Sequence, residues 1–262
     1  MHASVLRNAV KQTEVTKEAE NLPEKSIVTW NIRHGGGANE RRAAVIAQLL
    51  SFDADLLIVT EFRLNTTGVA ICSALAGAGY ALSHPGVDDK ANSVLVASRD
   101  PILGSSPLDP DLTDQRHLWV AELGWLKLCA VYMPLNTAKL PYWQALERAA
   151  NHESSGPGLF IGDFNTGNNR LDLSKGASPF IASDYFDRFG AGTLVDIWRT
   201  RNGDVSEFSW FSAPARNGFR LDHAFATRAL NKMVQRCEYD HHPRERGFSD
   251  HSALLLTIEV TK

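Results

Sequence analysis

Two short segments place side chains of catalytic type at the ends of apolar runs. Gly162-Asp163-Phe164-Asn165 follows the strand-like stretch Gly158 to Ile161, and Ser249-Asp250-His251 stands directly before Ala253 to Val260. Two further stretches, Ile27 to Trp30 and Asp55 to Thr60, run out onto Asn31 and Glu61. An acid, an amide or an imidazole at the mouth of each of several buried strands is the pattern of a metal-dependent hydrolytic site gathered from the whole chain.

The residue types define the chemistry. Glu61 offers a carboxylate to a hard divalent cation such as Mg2+, which prefers oxygen ligands and keeps several waters; alone it is weak evidence, since an acid at a strand end is more often a solvated loop residue. Asp163 and Asn165, two apart, can project to one side, where a carboxylate and an amide orient and deprotonate water. They can also close an Asx-type turn, just as Asp250-His251 can be a polar turn before the last strand. In Arg220-Leu221-Asp222-His223, strand alternation puts Arg220 and Asp222 on one face and His223 on the other. A buried Asp222 requires a partner, either an imidazole or Arg220 itself. Other signals fail: Gly35 to Gly37 lacks the Gly-Lys-Ser/Thr ending of a phosphate-binding loop, and His241-His242 lacks cysteine partners at zinc spacing and reads as surface. Ser73, Ser93 and Ser98 have no nucleophile-elbow context, which argues against a serine hydrolase.

These residues must be positioned by one fold. At 262 residues, 44% of them hydrophobic, the chain can bury one large core, and the candidates spread from Asn31 to His251. Residues 1–24 mix basic and acidic side chains up to Pro23 and read as a flexible or loosely helical extension before a domain spanning 25–262. Three cysteines without paired spacing, and no apolar N-terminal stretch of signal or membrane length, lead to the expectation of a reduced, cytoplasmic protein without a membrane partner. A net charge of -3 does not announce a nucleic-acid binder, but an acidic metal site lowers the sum while a local basic face persists. The mixed charges from Arg216 to Arg246 read as a solvated surface or as such a face.

The hydrophobic periods predict helices near Glu40 to Leu50, with Asn39 as N-cap, and at Thr67 to Ala76, Ala138 to Ala150 and Pro179 to Phe189. Further strands are expected at Tyr80 to Ser83, Ser93 to Ala97, Leu118 to Leu123, Leu126 to Met133, Phe208 to Phe211 and Phe219 to Thr227. Strands adjacent in sequence with helices outside them imply an α+β fold, a four-layer α/β/β/α sandwich of two mostly antiparallel or mixed sheets flanked by helices.

Taken in order, Thr29-Trp30-Asn31-Ile32-Arg33, Thr60-Glu61, Tyr132-Met133-Pro134, Gly162-Asp163-Phe164-Asn165, Arg220-Leu221-Asp222 and Ser249-Asp250-His251 resemble the endonuclease/exonuclease/phosphatase superfamily, over about Lys25 to Val260. Phe208-Ser209-Trp210-Phe211 and Gly218-Phe219-Arg220-Leu221-Asp222, preceded by Leu194-Val195-Asp196, are similar to the exonuclease III branch, whose members cut DNA at abasic sites and trim 3′ ends. The resemblance implies Mg2+ as cofactor, with Mn2+ as an alternative, Glu61 as the principal ligand, and Asn31 and Asp250 closing the site directly or through waters. It implies that Asp163 positions or deprotonates the attacking water, held by Asn165, and that His251 and the Tyr132 hydroxyl bind the scissile phosphate. Asp222 is expected to orient the imidazole of His251 and favour its charged form. Arg33, Trp210, Phe211, Phe219 and Arg220 are the expected substrate contacts, with core packing as the other reading of the aromatics.

Two positions depart from that branch. Arg33 stands where exonuclease III relatives generally carry a small polar or acidic residue and the deoxyribonuclease I branch has an arginine. Leu135 stands where some abasic endonucleases have a DNA-contacting asparagine. The resulting expectation is a monomeric Mg2+-dependent DNA phosphodiesterase, an abasic endonuclease with 3′ to 5′ exonuclease activity and no obligate protein partner. The alternatives are a phosphodiesterase or phosphatase for RNA, nucleotides or small phosphorylated molecules, and a catalytically silent nucleic-acid-binding module.

Overall fold

Period-two and period-3.6 apolar runs alternate along the chain, and most condense into the element their period dictates. The computed structural model describes residues 23–86, 89–151, 156, 158–213 and 215–260, so the expected extension lies almost wholly outside the described residues, and Glu24 already belongs to the first strand. The first half of the chain forms β1 (Glu24–Asn31), α1 (Asn39–Ser51), β2 (Leu56–Phe62), α2 (Thr66–Gly77), β3 (Ala81–Ser83), β4 (Ser93–Ser98), β5 (Ile102–Pro107), β6 (Leu118–Leu123) and β7 (Lys127–Tyr132). There follow α3 (Leu140–Ala150), β8 (Leu159–Asp163), α4 (Ser183–Ala191), β9 (Leu194–Asp196), α5 (Ile197–Asn202), β10 (Trp210–Phe211) and β11 (Gly218–Phe219). The chain closes with β12 (Asp222–Thr227), α6 (Arg228–Met233), β13 (Val234–Asp240), α7 (His242–Glu245) and β14 (Ala253–Glu259).

Among the described residues the strands build two six-stranded sheets, ordered β13-β14-β1-β2-β4-β3 and β5-β6-β7-β8-β12-β9, and a small β10-β11 ribbon. Each large sheet has a parallel pair at its centre, β1 with β2 and β7 with β8, among antiparallel neighbours. Ile27, Ile58, Val96 and Leu256 of the first sheet meet Ala130, Ile161 and Ala224 of the second in the interior between them. Val28, Leu57 and Val59 turn to the opposite face, against Val45 and Leu49 of α1 and Ile71 and Leu75 of α2. Cys129, Val131, Phe160 and Phe225 cover the outer face of the second sheet with Trp143 and Leu146 of α3 and Phe186 and Phe189 of α4. The neighbours Ile27 and Val28 thus enter different cores, as strand alternation requires, and the layers run helices, sheet, sheet, helices.

Local departures from the sequence reading have local causes. Ala38 takes the N-cap position of α1 without a side-chain cap bond, and Asn39 opens the helix at φ 52°, a region that asparagine tolerates. The expected strand from Phe219 to Thr227 is broken, because Phe219 pairs with Trp210, the chain turns through Arg220 and Leu221, and β12 begins only at Asp222. Arg220 and His223 therefore reach the same partner, Asp196, whereas Asp222 meets His251, so Arg220 groups with His223 and not with Asp222 as the alternation predicts.

The registers decide what meets at the strand ends. Across the second sheet Tyr132 lies beside Asp163, and Asp163 beside Asp222. In the first, Asn31 lies beside Thr60, immediately before Glu61, while β14 runs back alongside β1 directly after His251. Gly162 makes the pairing beside Asp163 feasible: its φ is 146°, and a Cβ there would stand 2.0 Å from the Val131 carbonyl oxygen. Gly162→Ala is expected to destabilise the fold by about 2 to 4 kcal/mol through strain and overpacking, measured as a lowered urea midpoint.

Candidate active site

The first sheet delivers an amide and a carboxylate. The pairing of β2 with β4 slips between Thr60 and Phe62, and Glu61 at this bulge takes φ 54°. A bulge re-aims the side chain it carries, and here the carboxylate turns toward the end of β1. Asn31, fully buried there, donates from Nδ2 to Glu61 Oε1 at 3.2 Å and to Asp163 Oδ2 at 2.9 Å, and its Oδ1 accepts the Arg33 N–H at 2.8 Å. Glu61 Oε2 accepts the His34 N–H at 2.6 Å and lies 3.2 Å from His34 Nδ1. Arg33 and His34 also have left-handed backbones, with φ of 53° and 48°. Such residues cost about 1 to 3 kcal/mol each and gather where position matters more than relaxation.

The second sheet delivers Asp163, buried at the end of β8. Its Oδ1 accepts the Asn165 N–H at 2.8 Å, so the Asx-type turn is present, and Asn165 sits at φ 45°. Asn165 Nδ2 donates to the Met133 carbonyl at 2.8 Å, which leaves its Oδ1 for another donor. Behind it, buried Lys139 donates to the Asn165 carbonyl and, at 2.8 Å, to Thr166 Oγ1. Tyr132 presents its hydroxyl beside them and accepts from Asn92 Nδ2 at 2.9 Å.

The third component joins the sheets. His251 Nδ1 lies 2.8 Å from Asp222 Oδ2, which commits that nitrogen and leaves Nε2 for a substrate acceptor. Ser209 Oγ accepts the N–H groups of Leu221 and Asp222, and Tyr239 donates to the Asp222 carbonyl at 2.5 Å, so the carboxylate stands on a fixed backbone. Ser249 Oγ donates to the Asn31 carbonyl at 2.6 Å, tying the His251 loop to β1. Polar atoms of Asp163, Asp222 and His251 all lie within 4.8 Å of one another.

Burial and charge then set the protons. Burial pushes the Asp163 carboxyl up to about 7, assisted by the Asp222 charge and opposed by His251. Burial alone would depress His251, but Asp222, by charge and hydrogen bond, and then Asp163 and Asp250 lift it to about 10. Burial holds Lys139 down at about 8. Tyr132 is raised well above the ordinary phenol range by burial and by Glu61, so it remains a hydroxyl donor.

A divalent metal fits the Glu61 side of this site better than the Asp163-Asp222-His251 group. In that group the imidazole nitrogen facing Asp222 holds a proton that a metal would have to displace. Glu61 and Asn31 offer oxygen donors, and the Glu61 side chain keeps 14% exposure, which suits a hard cation that retains waters. Asp250 sits on a partly exposed loop, with its Oδ2 accepting Trp210 Nε1 at 3.1 Å and 3.8 Å from Arg33 Nε.

Of the expected substrate contacts, Arg33, Trp210 and Phe219 border this centre: Trp210 faces Phe219 at 5.7 Å and His251 at 6.4 Å between ring centroids. Phe211 carries its ring instead to Phe208, with the Arg244 and Arg216 guanidiniums over it. Arg220 is corrected from substrate contact to structural clamp. It is 1% exposed and makes double contacts to Asp172, at 2.7 and 3.1 Å, and to Asp196, at 2.5 and 3.3 Å. Both acids carry the charge that Arg220 needs when buried, and no face of the guanidinium remains for a phosphate. Sequence reading missed Lys139, Asn92, Arg63 and His117. Lys139 alone had a signal, a lysine at the start of an apolar helix close behind Tyr132-Met133-Pro134.

Comparison with known proteins gives the family and the fold. Residues 28–251 match the model of the family described as the Endonuclease/Exonuclease/phosphatase family. An AP endonuclease from Archaeoglobus fulgidus superposes with a TM-score of 0.75 at 21% identity, covering 90% of this chain and 100% of that one. The 3′-5′ exonuclease NExo from Neisseria meningitidis gives 0.74 at 21% identity, covering 89% and 99%. A 3′ phosphatase NExo variant from Neisseria bound to a product DNA hairpin gives 0.73 at 22% identity, covering 91% and 100%.

Two outcomes follow from the buried charges. Arg220→Ala should lower stability by about 3 to 5 kcal/mol, because buried Asp196 loses its guanidinium and Asp172 keeps only Arg199, and Arg220→Lys should recover little of it without the bidentate fork; urea unfolding measures both. The proton that folded His251 holds to about 10, against an ordinary 6.5, contributes stability fully present below pH 6.5 and lost as pH rises toward 10. Lys139, held near 8 against 10.5, acts in the opposite sense at its own pH range, so the reading is the difference between wild type and Asp222→Asn in EDTA. That difference should shrink across pH 6.5 to 10.

Proposed function

Because the chain belongs to the Endonuclease/Exonuclease/phosphatase family, and is therefore a hydrolase of phosphate esters, we propose that it is a Mg2+-dependent phosphodiesterase acting in DNA repair, cleaving DNA at abasic sites and trimming 3′ ends. The observation that carries this reading is the convergence of Asp163, Asp222 and His251 within 4.8 Å, next to the Trp210-Phe219 ribbon. An aromatic ledge beside a phosphate-cleaving centre suits an extrahelical sugar or a terminal nucleotide. The structural neighbours named as AP endonuclease and 3′-5′ exonuclease support the same substrate.

A phosphodiester is anionic and repels hydroxide, so hydrolysis needs positive charge on its oxygens and a water aligned opposite the leaving oxygen. Asp163, held at both oxygens by Asn31 and Asn165, accepts the water proton, and Asn165 Oδ1 accepts the second hydrogen of that water. His251, charged through Asp222, donates from Nε2 to a phosphate oxygen, and the Tyr132 hydroxyl donates to the same group. Glu61 and Asn31, with Asp250 through water, would hold the Mg2+ ion, whose role is Lewis-acid stabilisation of the phosphate oxygens. Arg33 sets a guanidinium 3.8 Å from Asp250, a place for gripping phosphate that disfavours a second metal.

Purified protein is to be incubated with abasic duplex, intact duplex, single-stranded DNA and RNA, each with Mg2+ or with EDTA. Incision of the abasic strand and 3′ trimming with Mg2+, and neither in EDTA, are expected; turnover confined to RNA or to small phosphate esters would reject the proposal. Asp163→Asn should lower kcat by about a hundredfold to ten-thousandfold with the unfolding curve preserved; His251→Ala should lower it as far and also lower the urea midpoint, because buried Asp222 loses its partner.

A further inference from the structure

Tyr132 is held at its backbone, its ring and its hydroxyl, and the hydroxyl contact decides where the phenolic proton points. His117 Nδ1 meets the Tyr132 carbonyl at 2.7 Å, and the His117 ring stacks on Tyr132 with centroids 5.6 Å apart. The hydroxyl oxygen accepts from Asn92 Nδ2 at 2.9 Å, so its own proton is left for an acceptor elsewhere. Asn92 cannot be turned over to accept instead. Its Oδ1 is engaged by Arg63 Nε at 2.5 Å, and a guanidinium only donates, so the amide NH2 is the end that must face Tyr132. The Asn92 backbone is fixed as well: its carbonyl accepts Arg116 Nη1 at 3.2 Å, and Arg116 Nε contacts both oxygens of Asp114 at 2.7 and 2.8 Å. Neither Asn92 nor Arg63 has a part in the mechanism above.

We propose that Asn92, oriented by Arg63, is a positioning residue that sets the Tyr132 hydroxyl as a donor to the substrate phosphate. The inference rests on the phosphate-ester reading of the site, but not on DNA as the substrate. A tyrosine hydroxyl is both donor and acceptor, and without Asn92 its proton is free to turn to the side that Asn92 now occupies. The Asn92–Arg63 pair holds a lone pair on that side and leaves the proton for the substrate side before substrate arrives, which is the preorganisation that makes a donor effective in a transition state.

Asn92→Asp tests this with almost no change of shape. The introduced carboxylate keeps the Arg63 pairing but accepts from Tyr132, which draws the phenolic proton away from the phosphate. Rates are to be measured on abasic duplex and on bis(p-nitrophenyl) phosphate, with thermal unfolding as a control on folding. The expected result is a kcat lowered about a hundredfold with KM little changed, matching Tyr132→Phe, and no further loss when Asn92→Asp is added to Tyr132→Phe. Wild-type kcat in Asn92→Asp, or an equal further loss in the Tyr132→Phe background, would overturn the inference. Turnover of the chromogenic diester without DNA cleavage would reject the DNA proposal while the Asn92 comparison is still read on the diester.

Discussion

Two polar contacts across the seam between the sheets organise everything else: Asn31 Nδ2 to Asp163 at 2.9 Å, and His251 Nδ1 to Asp222 at 2.8 Å. Each joins the end of a strand in one sheet to the end of a strand in the other, and each buries a carboxylate with a specific donor. A buried carboxylate that loses its partner costs several kcal/mol, so the seam tolerates little sliding of one sheet over the other. The apolar interior supplies the complementary constraint. Ile27, Ile58, Ile161 and Ala224 fix the face-to-face register on which the polar ends depend. Stability and site geometry are therefore two consequences of one packing arrangement.

The same seam divides labour between two neighbouring carboxylates. Asp222 lies against the imidazole and lifts its proton affinity, while Asp163 faces an amide and a backbone N–H and is itself pushed up by burial. Two acids in adjacent register positions thus have different environments, one charging a cation and one poised near neutrality to take a proton. Outside this group Glu61, Arg33, His34 and Asn165 have left-handed backbones, and the Arg33 and His34 N–H groups donate to Asn31 and Glu61. The buried Arg220 clamp, two residues before Asp222, anchors the loop that carries Asp172 and lets β12 start cleanly at the site.

Much of this was legible in the sequence, for physical reasons that also explain the gaps. Buried central strands such as Asp55 to Thr60 announce themselves as unbroken apolar runs, and polar residues at their ends stand out by contrast; Asn31, Glu61, Asp163 and His251 were found that way. The edge strands β5 and β13 were missed. Four of the six residues of β5 are exposed, and a bulge in β13 spaces its buried residues, Val234, Cys237 and Tyr239, unevenly, so no period of two survives. Arg220 was misassigned because the turn before β12 cannot be seen in a run of strand-forming residues. Asn92 and Arg63 carry no local pattern at all, since their importance arises only from a contact to Tyr132 forty positions away in the case of Asn92.

The central claim is that the seam keeps His251 as a cation at neutral pH, ready to bind phosphate. Nitrogen-15 NMR of histidine-labelled protein, titrated from pH 5 to 11, measures this directly. His251 is expected to remain doubly protonated through pH 8 and to deprotonate near 10. Titration at the ordinary 6.5 would contradict it.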